Sequence, residues 1–240
     1  MGYPGIRLID PIEIYHIPSE NTFYPIISKS GCTSIKVMLI RKFKANYENT
    51  FPAIHHVNPA KKTNNEVQRL YFNSKRSYRK WTRGKNMVFV MRDPLSRIYS
   101  CYIDVVTGKN TMYKFPSGLD WFFDFKKDLT FDVFLEKVCG IPDRFSDRHF
   151  RSQSFYLSDS VRSGLESLEV HTLKDFMKTY SSDTPSNKEK PVKLNTNNST
   201  LSIEMRSRLL ENQEFRRRFK TDLSLFNATQ KDSSENGNEQ

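Results

Sequence analysis

The chain has 240 residues, enough for one domain with its own core, and a 37% hydrophobic and 13% aromatic content excludes wholesale disorder. Thirty-eight Lys and Arg against 27 Asp and Glu give a formal charge of +11, which points to an anionic partner: nucleic acid, a phosphorylated or sulfated small molecule, an acidic glycan or an anionic membrane. Cys32, Cys101 and Cys139 form no even disulfide framework and no metal-ligand spacing, so free thiols and no metal centre are expected.

The N-terminal "MGYPGIRLIDPIEIYHIPSE" has no apolar core of signal-peptide length, and no run of about 18 apolar residues would span a membrane. A cytoplasmic location is the expectation. The alternative is a lumenal (Golgi) catalytic fragment without its anchor, in which the sequons opened by Asn197, Asn198 and Asn227 would matter.

In chain order, "TFYPIIS" (22–28) reads as a short strand whose Pro25 suits an edge or an end. Ile35, Met38, Leu39 and Phe43 then recur at helical spacing, giving strand, loop and helix, half of a parallel crossover unit. A basic insert follows at about 58–85, with nine Lys or Arg between 61 and 85 against the single acid Glu66. Tyr71, Phe72, Tyr78 and Trp81 are interleaved with these cations, which fits a solvated amphipathic helix, an acceptor lid, or a surface that stacks single-stranded nucleic acid.

"MVFVM" (87–91) is the continuous apolar run of a buried parallel strand, and Arg92, Asp93 and Pro94 after it suit a turn, an N-cap and a first helical residue. In the helix so opened, Leu95, Ile98, Tyr99, Tyr102, Ile103 and Val106 form one stripe, and Arg97, Ser100 and Asp104 project to the other side. Ser100 is thereby placed toward a ligand or water, and Arg97 toward a ligand or into a solvated pairing with Asp104. A helix capped by Thr130 is expected over 130–138, with further helices over 161–180 and 201–226. A polar loop at 181–199 and a core-poor tail at 228–240 are expected to be mobile, the tail disordered.

The chemistry concentrates after the two parallel strands. Lys29, Ser30, Gly31, Cys32, Thr33 and Ser34 offer a cradle of helix N-terminal amides for an anion, with a glycine where the chain must come close. A Walker A loop requires its lysine after the second glycine; here Lys29 precedes the only glycine, so the nucleoside-triphosphatase fingerprint fails, and with it a nucleotide kinase. Arg92 and Ser100 supply a second anion site at the end of the neighbouring strand. Two such sites side by side suit a ligand with two separated phosphate-like groups.

"SKSGCTSIK" resembles the 5'-phosphosulfate loop of sulfotransferases, P-K-x-G-C-T-S, and "FVMRDPLSRIYSCY" resembles their 3'-phosphate motif, R-D-P-x-x-R-x-x-S-x-Y. "LTFDVFLEKV", "DRHFRSQSFYL" (compare D-x-H-W-x-P-Q) and "FRRRFKTDLSLFN" (compare Y-x-x-D-x-x-x-F) follow in the same order, so the chain over about 22–227 resembles sulfotransferase family 2. Ser28, Phe150 and Ser152 stand where that family has Pro, Trp and Pro, and the basic insert has no counterpart in the motifs.

The resemblance implies one domain over 1–227 with an α/β fold: three layers, P-loop-like, a central parallel sheet flanked by helices. It implies transfer of a sulfuryl group from 3'-phosphoadenosine 5'-phosphosulfate (PAPS), without a metal, to a hydroxylated acceptor, most simply a glycan. Lys29 would supply positive charge at the reacting centre, the loop from Lys29 to Ser34 the 5'-phosphate site, and Arg92 with Ser100 the 3'-phosphate site. Of the five histidines, His55 in "PAIHHVNP" is the expected base; His56 points elsewhere. His149 is a base or acceptor ligand with Gln153 as a polar contact, and His16 and His171 are structural. Cys32 fills the loop rather than acting as a nucleophile. The competing class is a nucleic-acid or polyanion-binding protein on the same fold, with nucleic acid the less expected partner.

Overall fold

The computed structural model describes residues 7–8, 10–44, 47, 53–106, 129–181 and 201–235. β1 (Ile12–Ile17) and β2 (Thr22–Pro25) form an antiparallel pair, and α1 (Cys32–Phe43) follows β2. α2 (Pro59–Lys62), β3 (Gln68–Phe72) and α3 (Lys75–Thr82) lead to β4 (Asn86–Met91) and α4 (Pro94–Val106). α5 (Phe131–Gly140), α6 (Asp159–Arg162), β5 (Ser167–Thr172) and α7 (Leu173–Ser181) come next. α8 (Ile203–Glu211), α9 (Gln213–Arg218) and α10 (Lys220–Glu235) close the chain.

The five strands form one sheet in the order β3-β1-β2-β4-β5. β2, β4 and β5 are parallel neighbours, whereas β1 runs antiparallel to both β2 and β3. The expected sheet is therefore mixed, with a parallel half. Alternation along the strands divides the core: Tyr15, Ile17, Tyr24, Val88 and Val90 pack with α1 and α7, and Ile12, Ile14, Phe23, Met87, Phe89 and Met91 pack with α3, α6 and α10. A second cluster joins α4, α5, α8 and α9 through Ile98, Phe134, Leu209 and Phe215.

Local signals explain the helix starts. Asp93 accepts hydrogen bonds from the Leu95 amide at 3.3 Å and the Ser96 hydroxyl at 2.7 Å, and Thr130 caps α5 through the Val133 amide. One helical expectation fails, since Ser167–Thr172 within 161–180 is strand β5, paired residue for residue with β4. Its apolar residues Leu168 and Val170 alternate, and pairing with a central strand overrides the helical spacing that they share with Leu173 and Phe176. The tail also differs: α10 runs to Glu235 and buries Thr229, so residues 228–235 are helical. The expected loop at 181–199 lies, after Ser181, outside the described residues.

The basic insert is part of the sheet rather than a solvated addition. β3 pairs with β1, and α3 turns Tyr78 and Trp81 onto the sheet while exposing Arg76, Lys80 and Arg83. Trp81 meets His16 and Phe23 edge-on at 5.0 and 5.5 Å, and the Tyr78 hydroxyl donates to the Tyr156 carbonyl at 3.1 Å. Tyr78 is buried in the core and Phe72 and Trp81 pack against it, partly buried, leaving only Tyr71 of the four well exposed, at 46%. Trp81→Ala should therefore lower stability by about 3–5 kcal/mol, read as a lower denaturation midpoint at unchanged slope. A change within about 0.5 kcal/mol, the ordinary surface value, would contradict this packing.

Candidate active site

The site lies at the carboxyl ends of the neighbouring parallel strands β2 and β4. After β2 the chain turns through Lys29, a non-glycine residue at φ 65°, and Gly31 at φ 79°, into the N-terminus of α1. Gly31 is required twice: its φ is left-handed, and a Cβ would sit 2.4 Å from Leu173 Cδ1. The first turn of α1 carries no acid, so its exposed amides and helix dipole favour an anion there. Burial pushes the Lys29 ammonium below its ordinary range, with Arg92 and Arg97 pushing the same way, so an anion at this loop relieves an existing electrostatic cost.

The second loop is tied to the first by two guanidinium groups. Arg92 Nη1 donates to the Lys29 carbonyl at 2.9 Å. Arg97 is only 1% exposed; its Nε donates to the Ser28 carbonyl at 3.0 Å and its Nη2 to the Arg148 carbonyl at 3.0 Å. The expected solvated pairing of Arg97 is thus replaced by a buried clamp between segments far apart in sequence. Ser100, three residues on along α4, is buried on the same side.

Gln153 completes the junction. Its Oε1 accepts from Ser30 Oγ at 2.8 Å and from the Arg92 amide at 3.1 Å, and its Nε2 donates to the Arg92 carbonyl at 2.9 Å. At 0% exposure it braces the two loops. The Ser30 hydroxyl is committed to the same bond, and the Ser30 amide donates to the Ile27 carbonyl at 3.2 Å. The fully buried Asp222 supports Gln153 from α10 by accepting the amides of Gln153 at 2.7 Å and Ser154 at 2.8 Å.

Beside this junction lies a buried ion cluster that the sequence reading does not contain. Glu13 of β1, 2% exposed, has Oε1 2.7 Å from Lys36 Nζ and 2.7 Å from Arg69 Nε, and Oε2 3.2 Å from Arg148 Nη1. Burial alone would raise the Glu13 carboxyl; the Lys36 and Arg69 charges outweigh it and hold the group below its ordinary range. Arg148 also binds Asp10 through its Nε at 3.0 Å and its amide at 2.8 Å. His55 sits at the edge of this cluster, its Nδ1 3.5 Å from Lys36 Nζ, and burial with the Lys36 charge lowers its pKa to about 4.

His149 follows Arg148 directly. Its Nδ1 bonds Asp147 Oδ1, which also accepts the His149 amide at 2.8 Å. Burial alone would raise the Asp147 carboxyl; its contact with His149 reverses the sign and holds it low. His16 packs against Trp81 and His171 bonds Glu169, so neither joins the site. Lys29, Gly31, Arg92 and Gln153 thus share one junction, Ser100 is buried on α4, His149 follows the residue whose carbonyl binds Arg97, and His55 lies at the edge of the Glu13 cluster. Asp147 is the omission that sequence could have supplied, as a carboxylate two residues before a motif histidine; Glu13, Lys36 and Arg69 carry no such signal.

Lys29 and Arg92 thus stand at the carboxyl ends of adjacent parallel strands, each in a loop that opens a helix, and the two loops are joined by Arg92 and Gln153. The profile of the sulfotransferase family matches residues 13–227, and the chain belongs to that family, within sulfotransferase family 2. It is a sulfotransferase. No curated protein and no solved structure matches it.

The Glu13 cluster has a measurable consequence. Glu13→Gln leaves Lys36 and Arg69 without their shared carboxylate and should cost about 3–5 kcal/mol at neutral pH. Because the folded carboxyl titrates below its ordinary 4.5, its stabilising contribution is complete above that pH and is lost as pH falls through the folded value. Denaturation from pH 3 to 7 should give a wild-type minus variant difference that is constant above about pH 4.5 and shrinks below it. A difference independent of pH would disprove the ionised cluster.

Proposed function

We propose that the sulfuryl donor is PAPS and that the acceptor is a carbohydrate hydroxyl. The observation that carries the donor is the pair of anion cradles bound into one unit by Gln153. The α1 amides, with Thr33 and Ser34, hold the 5'-phosphate; Arg92 and Ser100 hold the 3'-phosphate; and the Lys29 ammonium lies where negative charge develops on the leaving oxygen. The donor supplies an activated sulfuryl group, and by analogy with phosphoryl transfer the protein supplies position and charge rather than covalent chemistry.

The acceptor reading rests on the family resemblance and on the surface beside the site. Tyr71 is exposed next to Arg69, whose guanidinium lies 4.9 Å from its ring, and Arg148 keeps 30% of its side chain in solvent. A sugar ring stacks on such an aromatic face and bonds to the neighbouring cations. The competing polyanion-binding reading has less of a stacking platform, since Tyr78 lies in the core and Phe72 and Trp81 pack against it, partly buried.

Calorimetric titration with adenosine 3',5'-bisphosphate tests the donor. The wild type should bind in the micromolar range, Arg92→Ala should weaken binding at least about tenfold by removing a charge-assisted contact, and Lys29→Ala should lose turnover more than affinity. A folded wild type that does not bind the bisphosphate sinks the PAPS reading.

A further inference from the structure

We propose that Gln153 is a positioning residue that couples the two ends of the donor site, so that a group bound at one loop strengthens binding at the other. The proposal rests on the PAPS reading above and adds to it the residue that fixes the separation of the two anion cradles. Two contacts made by one ligand reinforce each other only where the second group finds its cradle at the distance the ligand spans. Where the cradles move independently, that advantage is lost in ordering them.

Gln153 belongs to neither loop. It opens the short 3-10 turn Gln153–Leu157, which carboxylates from two other segments hold: Asp222 of α10 accepts the amides of Gln153 at 2.7 Å and Ser154 at 2.8 Å, and Asp143 Oδ1 accepts the Ser152 amide at 2.8 Å. Gln153 and Asp222 are both at 0% exposure, so water does not compete for these bonds. From this anchored point the side chain grips both turns. The Arg92 peptide sets its amide 3.1 Å from Oε1 and its carbonyl 2.9 Å from Nε2, which allows one orientation of the carboxamide, because the reverse would face donor with donor. The Ser30 hydroxyl then donates to the same Oε1 at 2.8 Å.

The first loop needs such a hold. Lys29 has φ 65°, a left-handed conformation that is costly for any residue but glycine and persists only where its surroundings fix it. Three consecutive residues are held from outside the loop: the Ser28 carbonyl by Arg97 Nε at 3.0 Å, the Lys29 carbonyl by Arg92 Nη1 at 2.9 Å, and the Ser30 hydroxyl by Gln153. The Arg92 guanidinium is also the proposed 3'-phosphate contact, and Arg97 grips the strand side of Lys29. Gln153 is therefore the tie that bonds to both turns while itself buried away from any ligand.

The consequence is specific. If Gln153 sets the separation of the cradles, cutting its bond to the first loop diminishes the benefit of a phosphate bound at the second. A residue that merely shaped its own loop would weaken every ligand of that loop by the same factor.

Calorimetry on the full chain compares adenosine 5'-monophosphate with adenosine 3',5'-bisphosphate, and the ratio of the two dissociation constants is the gain from the 3'-phosphate. The wild type should show a gain of at least about tenfold from a charge-assisted contact. Ser30→Ala removes one hydroxyl from the first loop and leaves both Arg92 bonds to Gln153 in place, and it should cut the gain by at least about threefold. Gln153→Leu should cut it further, by about tenfold, toward the level of Arg92→Ala. Should Gln153→Leu fail to fold, Ser30→Ala decides alone. A gain left unchanged in the folded variants, whether both ligands weaken equally or neither does, overturns the coupling and leaves the PAPS reading standing. A wild type that binds the bisphosphate no better than the monophosphate removes the 3'-phosphate site, and the PAPS reading fails with it.

Discussion

One buried amide holds the site together. Gln153 contributes both of its polar atoms to the turns after β2 and β4, and its own backbone is held by Asp222 from the last helix. A strand end fixes where a loop begins but not how it turns, and each loop here leaves polar groups that water cannot reach. Gln is suited to the place because it is neutral and offers an acceptor and a donor from one planar group. A charged residue would add a desolvation cost beside Lys29, Arg92 and Arg97, and an apolar one would strand the Ser30 hydroxyl and the Arg92 peptide. The loops are consequently preorganised before any ligand arrives.

That preorganisation is electrostatically uneven. Arg97 and Arg151 are almost completely buried, and their hydrogen bonds run to backbone carbonyls rather than to carboxylates: Ser28 and Arg148 for the former, Asp10, Asp143 and Ser146 for the latter. Carbonyl partners satisfy the guanidinium geometry without cancelling its charge. The carboxylates present are placed selectively. Glu13 is ion-paired with Lys36, Arg69 and Arg148, and Asp222 accepts from the Gln153 and Ser154 amides, so each of these buried carboxylates is already occupied.

The sequence made the parallel half of the fold legible because its signals are local. "MVFVM" followed by Asp93 and Pro94 states a buried strand, a cap and a helix start within eight residues, and Thr130 does the same for α5. β1 escaped notice because "IEIYHI" places Glu13 and His16 among its apolar residues, and both are buried for reasons that lie elsewhere: Glu13 by Lys36, Arg69 and Arg148, His16 by Trp81. β3 was concealed by its charge, since Arg69 reads as surface until Glu13 is seen beside it. β5 satisfied a helical spacing, and only pairing with β4 decides against it. For the site, the residue types in the motifs were readable but their duties were not. Arg97 and Gln153 look like ligand contacts in a motif, and act as braces because partners 69 and 123 residues away need them.

The two histidines illustrate the same dependence on distant partners at the level of a proton. In sequence His55 is the expected base and His149 a base or an acceptor ligand, since an imidazole is amphoteric and each lies in a recognisable segment. Their neighbours differ in sign: Asp147 two residues away for one, and Lys36 on α1 for the other, itself held in place by Glu13 on a strand that the sequence reading lacks. A carboxylate pins the proton on the ring nitrogen facing it and exposes basicity at the other; an ammonium does the reverse and penalises any further proton. The surroundings of each ring therefore depend on the sheet: β1 brings Glu13 to Lys36, and Lys36 lies beside His55. The turn holding His149 is anchored to β1 as well, through Arg148, which binds Glu13 on the strand and Asp10 just before it, so one strand shapes the surroundings of both histidines.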